Sequence, residues 1–290
     1  MNDASITYFP VSNGDMYHIR LNDDTDIIID CNMTDDASDD SVADRYDVHG
    51  HLLRVLKKDG ANPHVGAFVL SHADQDHCRQ FSAVFYVGEP KDYTADDRKS
   101  GKIIIDELWF TPRLFSSVEE DLCEDAEAFQ KEAKRRIRLY RSGRASRNEA
   151  GNRVRIIGYA DSADLHGLSD IISVPGETVS VVNGKSHSGF SFFIHAPFKD
   201  DVDSADGERN AASLVLRASF GTQNTPEAAA VFFGGDAGCT VWEAIVKRSR
   251  NETLTWDIFT APHHCSWSFF SALPYKENVS RRAIMTHLEG

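Results

Sequence analysis

The segment that most constrains this chain is Ser71-His72-Ala73-Asp74-Gln75-Asp76-His77, which follows the apolar run Val65 to Leu70. A short apolar run bounded by a polar turn reads as a buried strand. Four metal-capable side chains, His72, Asp74, Asp76 and His77, fall within the six residues that follow Ser71. A stiff strand ending in a tight turn aims all four at one point. Two carboxylates and two imidazoles packed together repel or go unsatisfied, and a cation among them is the simplest remedy.

The rest of the chain is read around that point. The first thirty residues read as strands over Ile6–Val11, Met16–Leu21 and Thr25–Asp30, with turns at Asn13-Gly14 and Asn22 to Asp24. Leu52, Leu53, Val55 and Leu56 give one apolar face to a short helix at about His51–Lys58. Lys102–Trp109 reads as a further strand. The clearest helix runs from about Val118 to Arg147, with Ser117 and Glu120 as a capping box and Leu122, Ala126, Phe129, Ala133, Ile137 and Tyr140 along one face. Strands return at Val154–Tyr159, Thr178–Val182, Phe190–His195, Ser213–Phe220, Ala229–Phe233 and Trp256–Thr260, and a helix covers Cys239–Lys247. Two batches of strands with helices between and after predict an α/β fold of four layers, two sheets face to face with helices outside. We expect a single domain over residues 1–290, with a helical insertion at about 90–185 and no internal repeat.

Charge and cysteine usage narrow the function. The net charge of -14 argues against a surface that attracts nucleic acid as a whole, though not against a local basic patch. Much of the acidity lies in Asp35 to Asp47 and Asp200 to Glu208, which read as solvated loops. No apolar run reaches transmembrane length, and the Met-Asn-Asp-Ala-Ser start has no basic region followed by an apolar core. Five scattered cysteines, Cys31, Cys78, Cys123, Cys239 and Cys265, form no C-x-x-C pair, so a reduced cytoplasmic protein is expected.

Metal-capable residues recur at later strand ends. His195 closes the run Phe190 to Ile194, Asp236 follows Val231 to Gly235, and His263 and His264 follow Ile258 to Pro262. Taken in order, His72-x-Asp74-x-Asp76-His77, Asn210-Ala211-Ala212-Ser213-Leu214-Val215-Leu216, Gly235-Asp236 and Pro262-His263-His264-Cys265-Ser266 resemble the metallo-β-lactamase fold superfamily. Within it they are most similar to the soluble metallo-β-lactamase-like domain of competence DNA-uptake proteins (the ComEC type). Asn13-Gly14-Asp15 and Ile29-Asp30 resemble that family's start, and the likeness covers about residues 5–270 outside the insertion.

The resemblance implies a four-layer αββα sandwich and two divalent metal ions, zinc or manganese. His72, Asp74 and His195 would hold the first ion, Asp76, His77 and His263 the second, and Asp236 would bridge them. Asp30 would support the site without binding metal. Two ions about 3.5–4 Å apart share and activate a water. Asp76 and His264 are the candidate catalytic residues, His264 either protonating a leaving oxygen or orienting a neighbour. Which of the adjacent histidines is the ligand rests on the family pattern alone. Three departures stand out. Cys78-Arg79-Gln80 occupies the place of a glycine pair, and Cys265 replaces a glycine. The last stretch, Arg281 to Gly290, offers at most one short strand, and its His287 has no counterpart. His18, His49, His51, His64, His166 and His187 lie in no matched motif and read as surface or satisfied core histidines.

The expected activity is that of a metal-dependent hydrolase, a phosphodiesterase or nuclease, with nucleic acid or a nucleotide as partner and no membrane. A hydrolase of a small ester, lactone or cyclic nucleotide, and a metal-stabilised binding module without turnover, are the alternatives. Lys131, Lys134, Arg135, Arg136, Arg138, Arg141, Arg144 and Arg147 could track a phosphate backbone. They could equally balance the helix's own acidic half through Glu127–Lys131 and Glu132–Arg136.

Overall fold

The structure is a computed structural model describing residues 3–33, 46–115, 122–159, 165–199 and 209–273. The acidic runs before Tyr46 and after Lys199, the Ser117/Glu120 capping box and the stretch around His287 lie outside the described residues. The fold is mixed α/β with several sheets and, among the described residues, seven α-helices. The chain divides into two compact units. One comprises Met1–Phe110, Ser117–Arg155 and Val182–Lys185; the other comprises Thr111–Ser116, Ile156–Val181 and Ser186–Gly290. The segment expected as an insertion is thus shared between them.

In the first unit, β1 (Ser5–Tyr8), β2 (Tyr17–Arg20) and β3 (Asp26–Ile29) form an antiparallel meander. Beyond the two-residue β4 (Cys31–Asn32) and α1 (Val48–Val55), a hairpin of β5 (Lys58–Asp59) leads into β6 (Asn62–Val69). Then come α2 (Gln75–Cys78), α3 (Phe81–Val84), α4 (Ala95–Lys99) and β7 (Ile104–Phe110). β6 lies parallel between β3 and β7, and β7 is buried along its whole length. The Val65–Val69 end of β6 is an apolar buried run, as a strand covered on both faces allows, whereas β7 buries Asp106 and Glu107 among its apolar residues.

Helix α5 (Glu124–Arg141) packs Phe129 against Phe68 and Phe81. The sequence places its end at Arg147; instead Gly143 turns the chain at φ 68° and a 3-10 turn follows at Ala145–Asn148. The expected pairs form, Lys131 with Glu127 at 3.8 Å and Arg136 with Glu132 at 2.7 Å. Arg136 is only 1% exposed. Its guanidinium donates to Glu132 and to the carbonyls of Ile105 and Arg153, so it works as a strut between helix and strands. Arg135 shares Glu132 and also donates to Asn152 and to the Gly151 carbonyl.

β8 (Arg153–Ile157) neighbours β7 and runs on into the second unit, where its end pairs in parallel with β9 (Ile172–Ser173). β10 (Thr178–Val179) is followed by a small ladder of β11 (Val181–Val182) with β12 (Lys185–Ser186). The main sheet of this unit is ordered β10, β13 (Phe190–Ala196), β14 (Val215–Phe220), β15 (Ala229–Phe233), β16 (Ile258–Phe259). All its neighbours are antiparallel except β15 and β16. Helices α6 (Cys239–Arg248) and α7 (Trp267–Phe270) contribute Trp242, Ile245 and Phe269 to a core with Phe232 and Val215. No helix among the described residues is long and apolar enough to cross a membrane.

Candidate metal-binding residues

In the first unit the chemistry begins where β6 ends. Leu70 still bonds to β7 through the Trp109 carbonyl, and the chain then turns into α2. His72 and His77 are buried with ring centroids 4.1 Å apart. Asp74, at the N-terminal cap of α2, has an oxygen 3.7 Å from His72 Nε2. Asp76 is half-buried in the first turn of α2.

Asp30 organises this group. It leaves β3 in the left-handed region at φ 57° and is 1% exposed. One carboxylate oxygen accepts the Ser71 backbone N–H at 2.7 Å. The other accepts the Ser71 hydroxyl at 2.6 Å and lies 2.8 Å from His77 Nδ1. A carboxylate facing Nδ1 holds the proton there, which makes Nε2 the lone-pair nitrogen of His77. Burial pushes the Asp30 carboxyl above its ordinary range, against the opposite pull of His77 and Ser71.

Asp15 joins the group through close packing of a turn. The Asn32 amide donates to the carbonyls of Val11 and Asn13. Cys31 and Asn32 bridge to Cys78 and Arg79, which fixes that turn against α2. Gly14, at φ 153°, sits so close that a Cβ there would clash with the Asn32 amide and lie 2.6 Å from the Asp76 carbonyl. Only glycine fits, and Asp15 then offers an oxygen within 4.8 Å of a ring nitrogen of His77.

In the second unit, Asp236 follows β15 and is 3% exposed. His263 and His264 sit in the turn after β16, their Nε2 atoms 3.6 and 3.5 Å from its two oxygens. These separations are longer than good hydrogen bonds. Ser268 lies 2.7 Å from His263 Nδ1 and fixes that ring. His263, His264 and Cys265 all have positive φ, 50°, 50° and 64°. Three successive left-handed residues are rare and costly, and such backbone clusters at functional sites. The glycine expected at position 265 is thereby explained, since glycine adopts this conformation freely.

Asp15 with His77, and Asp236 with His264, are Asp and His residues that could hold a metal ion. Carboxylate oxygens and imidazoles suit zinc, manganese and similar divalent ions, so the donor set fits. Asp15 stands outside the expected ligand set, although Asn13-Gly14-Asp15 carries part of the family likeness; the glycine before it is its one signal in the sequence.

His195 departs from the expected set. Its Nε2 lies 3.0 Å from the Thr253 carbonyl, which can only accept, so the proton is on Nε2. Its Nδ1 is then left to accept from the Ser249 hydroxyl at 3.1 Å. With both nitrogens so used, the ring presents no lone pair to an ion. Burial holds its pKa down to about 4. As placed it is a buried histidine facing Phe232 and Phe193, with both ring nitrogens hydrogen-bonded within the second unit.

No protein-family model matches the chain, and no curated protein matches it.

Proposed function

We propose that this protein is a metal-dependent hydrolase of the metallo-β-lactamase-like kind, acting on phosphodiesters. The four-layer sandwich, a pair of zinc or manganese ions and a cytoplasmic setting belong to the same proposal. The observation that carries it is Asp30 gripping His77 Nδ1 at the point where His72, Asp74 and Asp76 also emerge. A buried carboxylate behind an imidazole is how proteins orient a histidine ligand and raise its basicity. Asp15, His72, Asp74, Asp76 and His77 would be ligands from the first unit, and Asp236 with His264 or His263 from the second.

Divalent ions held by such residues activate water and stabilise the charge that develops in phosphoryl transfer. The chain's own part is positional. Asp30 and Ser71 fix His77, Gly14 lets the Asp15 turn close on α2, and Ser268 fixes His263. A histidine beside Asp236, His264 Nε2 lying 3.5 Å from its carboxylate, would exchange a proton with a leaving oxygen.

The state of α5 favours a small diester over a polymer. Arg135 and Arg136 are committed to Glu132 and to strand carbonyls, and Arg147 stacks on Tyr140 at 4.6 Å. Arg135 and Arg136, two of the eight cations, are thereby withdrawn from following a nucleic-acid backbone.

The test is to purify the protein, quantify bound metal, and assay bis(p-nitrophenyl) phosphate, single- and double-stranded DNA and RNA with manganese and with zinc. Turnover of the small diester that vanishes in Asp76→Ala is expected. Cleavage that survives Asp76→Ala marks a contaminant and ends the reading, and stoichiometric metal without turnover on any substrate leaves a binding module instead.

A further inference from the structure

We propose that Cys78 and Cys123 are a peroxide-responsive dithiol that closes to a disulfide and pins α2 to the start of α5. The two sulfurs lie 3.6 Å apart with no bond between them. A disulfide needs roughly 2.05 Å, so closure asks for an approach of only about 1.5 Å. The segments carrying the thiols are already held together. Asp125, two residues after Cys123, accepts the backbone N–H groups of Gln80 and Ser82 at 2.8 and 2.9 Å, and the Ser82 hydroxyl at 2.7 Å.

The two thiols are placed for different roles. Cys123 is the N-terminal cap residue of the 18-residue α5 and is partly exposed. The contact with the Cys78 sulfur, in which either thiol can donate, contributes most to bringing the Cys123 thiol down to about 6, and the backbone N–H groups of Ala126 and Asp125 add to it against the opposing effect of burial. A thiolate at a helix N-terminus is the reactive form of cysteine. Cys78 is buried, and its single S–H has the Asp74 carbonyl at 3.2 Å and the Cys123 sulfur as acceptors. Cys123 is therefore the attacking thiolate and Cys78 the resolving thiol. Cys31 stays out of the exchange, since it is fully buried and donates to the Arg79 carbonyl at 3.1 Å.

The oxidant is a hydroperoxide. The Cys123 thiolate attacks a peroxide oxygen, the O–O bond breaks, and the departing oxygen leaves as hydroxide or alkoxide and takes up a proton. Cys123 is then a sulfenic acid. Cys78 attacks its sulfur as the S–O bond breaks; the Cys78 proton leaves with the hydroxyl as water, and the S–S bond forms. Two thiols have lost two electrons and two protons, and the peroxide is reduced to water or to alcohol and water. Because Asp76 and His77 immediately precede Cys78, the bridge ties down the helix that carries them.

The experiment treats the folded, metal-free protein with hydrogen peroxide and maps its peptides by mass spectrometry. The expected product links Cys78 to Cys123 and leaves the other three of the five cysteines as thiols. Cys78→Ala should halt oxidation at a Cys123 sulfenic acid that dimedone traps. Cys31→Ser should leave the bridge intact. Alkylation of Cys123 by iodoacetamide should follow a pH profile with a midpoint near 6. A Cys123 that goes to sulfinic acid with Cys78 present, or first oxidation at Cys265 or Cys31, overturns the proposal. The wild-type peptide map decides the matter even where a variant fails to fold, and it requires no hydrolase activity.

Discussion

The two stretches that carry the candidate ligands are held in opposite ways. Around α2 the backbone is mostly relaxed, and order comes from hydrogen bonds, with one buried carboxylate, Asp30, satisfying Ser71 and His77 together. Around Pro262 to Ser266 the backbone itself is forced, with three left-handed residues in a row. That turn is anchored by the His263 N–H to the Gly235 carbonyl at 2.9 Å and closed by the Ser266 N–H to the His263 carbonyl at 2.7 Å. The first arrangement should fail when a polar partner is lost. The second should improve when strain is relieved.

The largest expected effect tests the polar arrangement. Asp30→Ala strands the Ser71 N–H and His77 Nδ1 in the interior, at a cost of about 3–5 kcal/mol. Urea denaturation reads this, and a loss under 1 kcal/mol would show that Asp30 does not organise the cluster. Next comes a pH effect in the second unit. The His195 pKa falls from 6.5 to about 4 on folding, so the unfolded chain takes the proton first. Stability should be full above pH 6.5 and decline as pH falls towards 4, by up to about 3 kcal/mol. His195→Gln should flatten that slope; a slope left unchanged would mean that another group produces it.

A smaller loss is expected from Gly14→Ala. Its Cβ meets Asn32 and the Asp76 carbonyl at a φ that alanine rarely adopts, which costs about 2–3 kcal/mol. Metal affinity should fall with it, and calorimetry with manganese would expose an unaltered affinity. The smallest effect has the opposite sign. Cys265→Gly removes one left-handed side chain and should stabilise by about 0.5–1 kcal/mol, seen as a raised Tm. A lowered Tm would mean that the Cys265 side chain contributes packing that offsets its strain.

What the sequence revealed follows from how local each signal is. The strand ending near Leu70 was legible because an apolar run stops abruptly at polar residues, and β6 ends at Val69. β15 was legible for the same reason. Helix α1 begins at Val48 rather than His51 because Asp47 caps it, accepting the Gly50 N–H at 2.7 Å. The hydrogen-bond partners of His195, Ser249 and Thr253, lie 54 and 58 residues further on, beyond the reach of a local motif. Arg136 looked like one cation in a run, and nothing nearby announces that strand carbonyls claim it. Asp15 stands in no expected ligand set because the residue that holds its turn, Asn32, arrives from a different strand and bonds the Asn13 carbonyl.

The clamp formed by Asn32 on Val11 and Asn13 also bears on how this protein can be engineered. A fusion joint or loop graft between Val11 and Asp15 would pull that turn away from α2 and cripple the ligand-bearing segment from a distance. A tag placed ahead of Ser5 leaves the clamp untouched, so cloning junctions belong on that side.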